Sequence, residues 1–258
     1  MAETSVGEPS PPTAGQQEPA AAGGRMPFLA HLDELRRRLF RSALAILAGF
    51  LVCWYFSTPI LNFLLKPVTD SMGTLSVIRP AEGFLNKMKA ALLAGIFVAF
   101  PFVFYQFWAF VAPGLYPRER RWVAPIVAFG TALFVAGAAF SYWVAVPSAA
   151  TFLASQAEGF EQHVTVDSAF GFASKLLLGL GAVFELPLIM FALAKFGAVT
   201  PRFLLRKLDV AVFICFAVAA LITPTPDVMT MTIFALPMIG LYLLGIAVAF
   251  VAAPRSAK

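Results

Sequence analysis

Charge is what this sequence has least of: Asp, Glu, Lys and Arg make up 13% of its 258 residues, about half of what a soluble domain carries. A chain this poor in charge, 60% hydrophobic and with a mean hydropathy of +0.81, cannot cover a soluble surface, so it is an integral membrane protein. Both cysteines, Cys53 and Cys215, lie in apolar runs without CxxC or Cys/His spacing. The two histidines, His31 and His163, stand far apart, so neither a disulfide nor a metal centre is indicated. A Gly-rich phosphate loop, an HExxH pair, a Ser/His/Asp set and an inverted repeat are all missing, which leaves an ATPase or a membrane protease without support; no catalytic residue and no cofactor is implied. No two glycines stand four apart, so the GxxxG packing motif is absent as well. Residues 1–24 hold no aromatic residue and no positive charge; a disordered tail is expected over 1–25, and it lacks the basic start and apolar core of a secretory signal.

What the chain does have is a series of long apolar runs. Phe28, Leu32, Leu35 and Leu39 recur at helical spacing with charges on the other face, predicting an amphipathic helix at the interface. Ser42 to Leu65 carries no charge and is long enough, at about 1.5 Å per residue, to cross roughly 30 Å of hydrocarbon as span one. Lys66 to Gly83 reads as an outer loop; span two follows from about Ala90 to Val111, and span three from Trp122 to about Val144. Pro147 to Asp167 reads as a second outer loop, and span four runs from about Ala169 to Ala194. In the basic turn after it, Thr200 and Pro201 look like an N-cap and first helical residue. Span five, Val210 to Ile222, is short; span six runs from Val228 to about Ala252. The expected division is a tail over 1–25, a six-span all-α membrane domain over 26–253 and a C-terminal tail over 254–258.

Orientation follows from the basic residues. Fourteen of the nineteen Lys and Arg fall in the N-terminal region, the two turns after spans two and four, and the C-terminus, which places both termini in the cytoplasm. The formal charge of +5 is therefore a topology signal, not a nucleic-acid footprint.

Two carboxylates, Glu34 and Glu119, stand at that edge among arginines; the turn around Glu119 is fixed by Pro113, Gly114 and Pro117. Each could be an ordinary interfacial ion pair, worth about 0 to 1 kcal/mol, or part of a patch that recognises guanidinium, since a carboxylate accepts Arg through two parallel hydrogen bonds and so discriminates it from Lys. Glu185 lies within span four, where a carboxyl costs at least about 2.5 kcal/mol. It is either bonded to a backbone group freed by Pro187, a polar contact for an inserting helix, or a protonatable site. Lys175, ten residues earlier, is expected to snorkel outward. Asp227 is placed to cap span six. The aromatic residues Phe107, Trp108 and Phe110 form either an interface belt or an apolar lip beside Glu119.

Five motifs in order, His31 to Leu39, Tyr105 to Tyr116 with Glu119-Arg120-Arg121, Phe184-Glu185-Leu186-Pro187, and Thr223 to Asp227, together resemble TatC, the multi-spanning subunit of the twin-arginine protein translocase, over about residues 26 to 252. The resemblance implies six helices in a concave, glove-like arrangement in the cytoplasmic membrane. It implies that paired arginines of a folded protein's signal peptide bind at the cytoplasmic face. Single-span TatA-like and TatB-like partners, with self-association in the receptor complex, would then start export driven by the proton-motive force. Carried over by motif, Glu34 and Glu119 would accept the signal arginines, and Arg36 and Phe110 would belong to the same site. Glu185 would be the intramembrane polar site on the concave face, and Asp227 the outer-loop aspartate. Where the family often has a glutamine shortly after that aspartate, this chain has Met231. Read without the resemblance, the same residues also fit a proton-coupled transporter of a small solute, with Glu185 as the coupling carboxylate, or a structural scaffold in the membrane.

Overall fold

The computed structural model describes residues 28–111, 123–157, 163–223 and 227–252. Among these, five helical segments are long and apolar enough to cross a membrane: His31–Tyr55, Glu82–Val111, Val123–Gln156, Val166–Lys195 and Val228–Ala252. The apolar helix Leu208–Ile222 is shorter.

The first helix, α1 (Phe28–Tyr55), corrects the expectation of a separate interfacial helix. No proline or glycine stands between Phe28 and Ala48, so the backbone hydrogen bonding that begins among the charged residues continues straight into the apolar run. It stops at Tyr55 because the ring of Pro59 excludes the carbonyl four residues back. The chain turns at Phe56 and restarts as α2 (Ser57–Met72), so residues 57–65 are not the end of span one, and half of the expected outer loop is helical. α2 contains Pro67, which frees the carbonyl of Phe63. The Tyr142 hydroxyl donates to it at 3.0 Å while the two rings stack at 4.4 Å.

α3 (Glu82–Val111) runs antiparallel to α1 along its whole length: Trp54 meets Phe84 near one end, and His31 meets Phe110 at the other. They cross at Gly49 and Gly95. A Cβ on Gly95 would lie 2.5 Å from the backbone nitrogen of Phe50, so the two backbones touch where no side chain fits.

The third span does not end at Val144 as expected. α4 (Val123–Phe140) passes through a π turn, Ser141–Ala145, into α5 (Val146–Gln156). The Val146 amide bonds the carbonyl of Ser141, five residues back, and this wider turn carries the helix past Pro147.

α6 (Val166–Val183) and α7 (Leu186–Lys195) form the fourth span, interrupted at Phe184 and Glu185 just before Pro187. α4 packs on α6 where Gly137 faces the Leu180 carbonyl and the Phe184 side chain, and Gly181 faces Phe134. After α7 the chain reverses at Gly197, whose φ of 71° suits glycine. The Thr200 hydroxyl then caps α8 (Pro201–Arg206) by accepting from the Phe203 amide at 3.3 Å. α9 (Leu208–Ile222), at 15 residues, rises about 22 Å. α10 (Val228–Ala252) has 25 residues, so of the last two spans only α9 is short.

The end of the bundle opposite the start of α1 is closed by contacts between the 73–81 segment and the residues that lead into α6. Ser76 exchanges backbone hydrogen bonds with Val164 (2.9 Å) and Val166 (3.1 Å). Glu82, buried, accepts from the amides of Asp167 (2.9 Å), Ile78 (3.1 Å) and Arg79 (3.3 Å), and Lys89 pairs with Asp167. One carboxylate thus ties the 73–81 segment to the start of α6. Glu82→Gln replaces one of its acceptor oxygens by a donor and is expected to increase protease cleavage within residues 73–81 in detergent-solubilised protein; an unchanged cleavage rate would count against this role.

Candidate functional site

The end of the bundle where α1 begins gathers polar groups that the chain otherwise avoids. Along α1, His31, Glu34, Arg38 and Ser42 recur at three- and four-residue spacing and lie on the one stripe that faces α3. Glu34 Oε1 accepts from Arg38 Nε at 2.9 Å and from Arg38 Nη2 at 2.5 Å, and Arg38 Nη1 donates to Gln106 Oε1 at 3.2 Å. Gln106 is buried on α3. Glu34 Oε2 is buried and has no hydrogen-bond partner. One turn earlier on α1 and one turn later on α3, the His31 and Phe110 rings stack at 4.3 Å with an interplanar angle of 19°. The ion pair spans four residues of one helix, but it is half sheltered and held by a third group from the neighbouring helix, unlike an exposed surface pair.

Of the residues picked out from the sequence, the structure brings Glu34 and Phe110 to this one face. Arg36 is exposed and, two residues from Glu34, lies on roughly the opposite side of α1, so it is not part of the cluster. Glu119 falls within 112–122, outside the described residues. Three partners were passed over. Arg38 was legible from its i+4 spacing to Glu34, Gln106 as the lone amide side chain in an apolar run, and His31 from the same helical stripe. The aromatic residues divide. Trp108 is core, packed with Val123, Ile126 and Leu188; Phe107 is exposed; Phe110 is half-buried against His31.

Glu185 lies between α6 and α7 and is 5% exposed. Neither of its carboxyl oxygens has a hydrogen-bond partner, so of the three alternatives the bond to a backbone group freed by Pro187 is not formed. Lys175 is exposed, as snorkelling requires. A buried polar group left unpaired costs about 1–3 kcal/mol. Glu185→Leu is accordingly expected to raise the melting temperature in detergent; a lower one would show that the carboxyl holds the α6–α7 junction together.

Asp227 sits at the other end of the bundle, away from Glu34. Its Oδ2 accepts from the Thr230 amide at 2.7 Å, which is the capping geometry at the start of α10.

A family model described as Sec-independent protein translocase protein (TatC) matches residues 30–237. A Koribacter versatilis Sec-independent protein translocase protein TatC is 41% identical over 239 residues, covering 90% of this chain and 88% of that one. A Helicobacter pylori protein of the same description is 40% identical over 220 residues, 85% of each chain. A crystal structure of the twin-arginine translocase receptor TatC superposes with a TM-score of 0.74 at 34% identity, covering 86% of this chain and 99% of that one. A second, in the detergent DDM, gives 0.75 at 33% identity, covering 87% and 100%.

Proposed function

The chain belongs to the TatC family of Sec-independent protein translocase proteins, and from that premise we propose that it is the receptor that reads the paired arginines of a signal peptide at the cytoplasmic face of the membrane. The observation that carries this reading is the Glu34 cluster. A carboxylate already holding a guanidinium stands at a bundle end, and that guanidinium is held in turn by an amide from the next helix, beside a stacked aromatic pair. The same carboxylate meets an ammonium less well, because a point charge cannot fill both positions of its fork. Glu119 would supply the second acceptor, and Phe110 an apolar wall for the residues following the arginines. Glu185 would offer a polar contact to an inserting helix, from the signal or from a single-span TatA-like or TatB-like partner. Both termini would lie in the cytoplasm, with export of folded cargo driven by the proton-motive force. Membership of the family sets aside the small-solute transporter.

The test is export of a folded fluorescent reporter with a twin-arginine signal, in cells whose own receptor subunit is replaced by this chain together with its cognate partners. Export is expected, and it should fail with a twin-lysine signal or an uncoupler. Export that is indifferent to the arginines would contradict the reading.

A further inference from the structure

We propose that Arg38 is an internal stand-in for the signal peptide's arginine: it occupies Glu34 in the resting receptor and must be displaced for a peptide to bind. The inference rests on the reading of Glu34 as an acceptor of peptide arginines. Glu34 has two oxygens with which to hold a guanidinium. Oε1 is taken twice over, by Arg38 Nε and Nη2, and Oε2 is buried. An incoming guanidinium needs both oxygens for two parallel hydrogen bonds, so it cannot dock while Arg38 stays. The occupant and the expected ligand are the same chemical group, which makes docking an exchange of like for like.

The structure also supplies a place for the displaced side chain. Arg38 Nη1 already donates to Gln106 Oε1 at 3.2 Å, so the guanidinium can leave Glu34 while keeping one partner on α3. His31 and Phe110 flank the site as a stacked pair, and Arg36 lies off this face, so neither substitutes for Arg38.

Self-occupancy lowers the apparent affinity of every competing cation by the same factor, the fraction of receptors with Glu34 open. Arg38 therefore sets an affinity threshold. It does not set the ratio between arginine and lysine peptides, which belongs to the carboxylate fork. Weak ligands, such as a twin-lysine peptide, fall below a usable affinity.

The test is equilibrium binding of labelled twin-arginine and twin-lysine signal peptides to the full-length protein in nanodiscs. R38Q is expected to tighten both by on the order of tenfold while leaving their ratio unchanged. R38K keeps the positive charge but cannot place two fixed donors on Oε1 as the guanidinium does, so it should tighten both by a smaller factor, which separates displacement from a change in local charge. Q106L removes a contact that Arg38 makes both on and off Glu34, so it should change both affinities less than R38Q does. Unchanged or weaker twin-arginine binding in R38Q and R38K, with E34A abolishing it, would overturn the stand-in and leave the acceptor role intact. Binding indifferent to E34A would overturn the acceptor role and the stand-in with it. If R38Q does not fold, R38K decides the matter.

Discussion

Glu34→Ala is expected to cut binding of a twin-arginine signal peptide by about 30-fold or more, the scale on which truncating one side of a sheltered charge pair acts. The fold should survive, because the side chain makes no backbone hydrogen bond and Arg38 keeps its contact with Gln106. Glu34→Gln should lose nearly as much: the amide retains the shape but not the charge that strengthens each hydrogen bond. Binding to nanodisc-embedded protein, with melting temperature measured alongside, checks this. A wild-type affinity in either variant would remove Glu34 from the site.

Gly95→Val should have the largest effect on the fold itself. Its Cβ would stand 2.5 Å from the Phe50 nitrogen and 2.9 Å from the Gly49 carbonyl carbon, and backbone cannot step aside as the end of a side chain can. The helices must separate there, at a cost of about 1–3 kcal/mol or more. α1 is exposed to this because its buried residues lie on one narrow stripe against α3, while Leu39, Phe40, Leu44, Leu51 and Val52 point outward. Parting the pair also draws Arg38 from Gln106 and His31 from Phe110, so folded yield and peptide binding should fall together. Gly171→Ala, which meets nothing within 4 Å, is the matched control and should change neither. A Gly95→Val protein with wild-type melting and binding would refute the close crossing.

The Gly49–Gly95 contact shows why parts of the fold were not legible. A GxxxG motif places two glycines four apart within one helix, but the crossing uses one glycine from each of two helices far apart in sequence, and no local pattern announces that. Apolar run lengths located the spans, because burial of backbone in lipid leaves few alternatives. Prolines misled in both directions. Pro59 ended a helix inside an uncharged run, whereas Pro147 did not end one, since a π turn absorbed it and only tertiary packing decides which happens. At the site, Glu34 was legible as a carboxylate among arginines. Its engagement by Arg38 was legible too, as an i, i+4 pair on one helix, but the support from Gln106 depends on how α1 lies against α3, which the chain's local chemistry does not encode. Asp227 and Thr200 were legible as caps because capping is local.

The most direct measurement of the receptor reading is photocrosslinking in membranes from a twin-arginine signal peptide carrying its crosslinker beside the arginines, with the crosslinked residues identified by mass spectrometry. The account predicts crosslinks at the start of α1 and the end of α3, around Glu34 and Phe110, which disappear with a twin-lysine peptide. Crosslinks confined to the opposite end of the bundle, near Glu82 and Asp227, or equal for the two peptides, would contradict it.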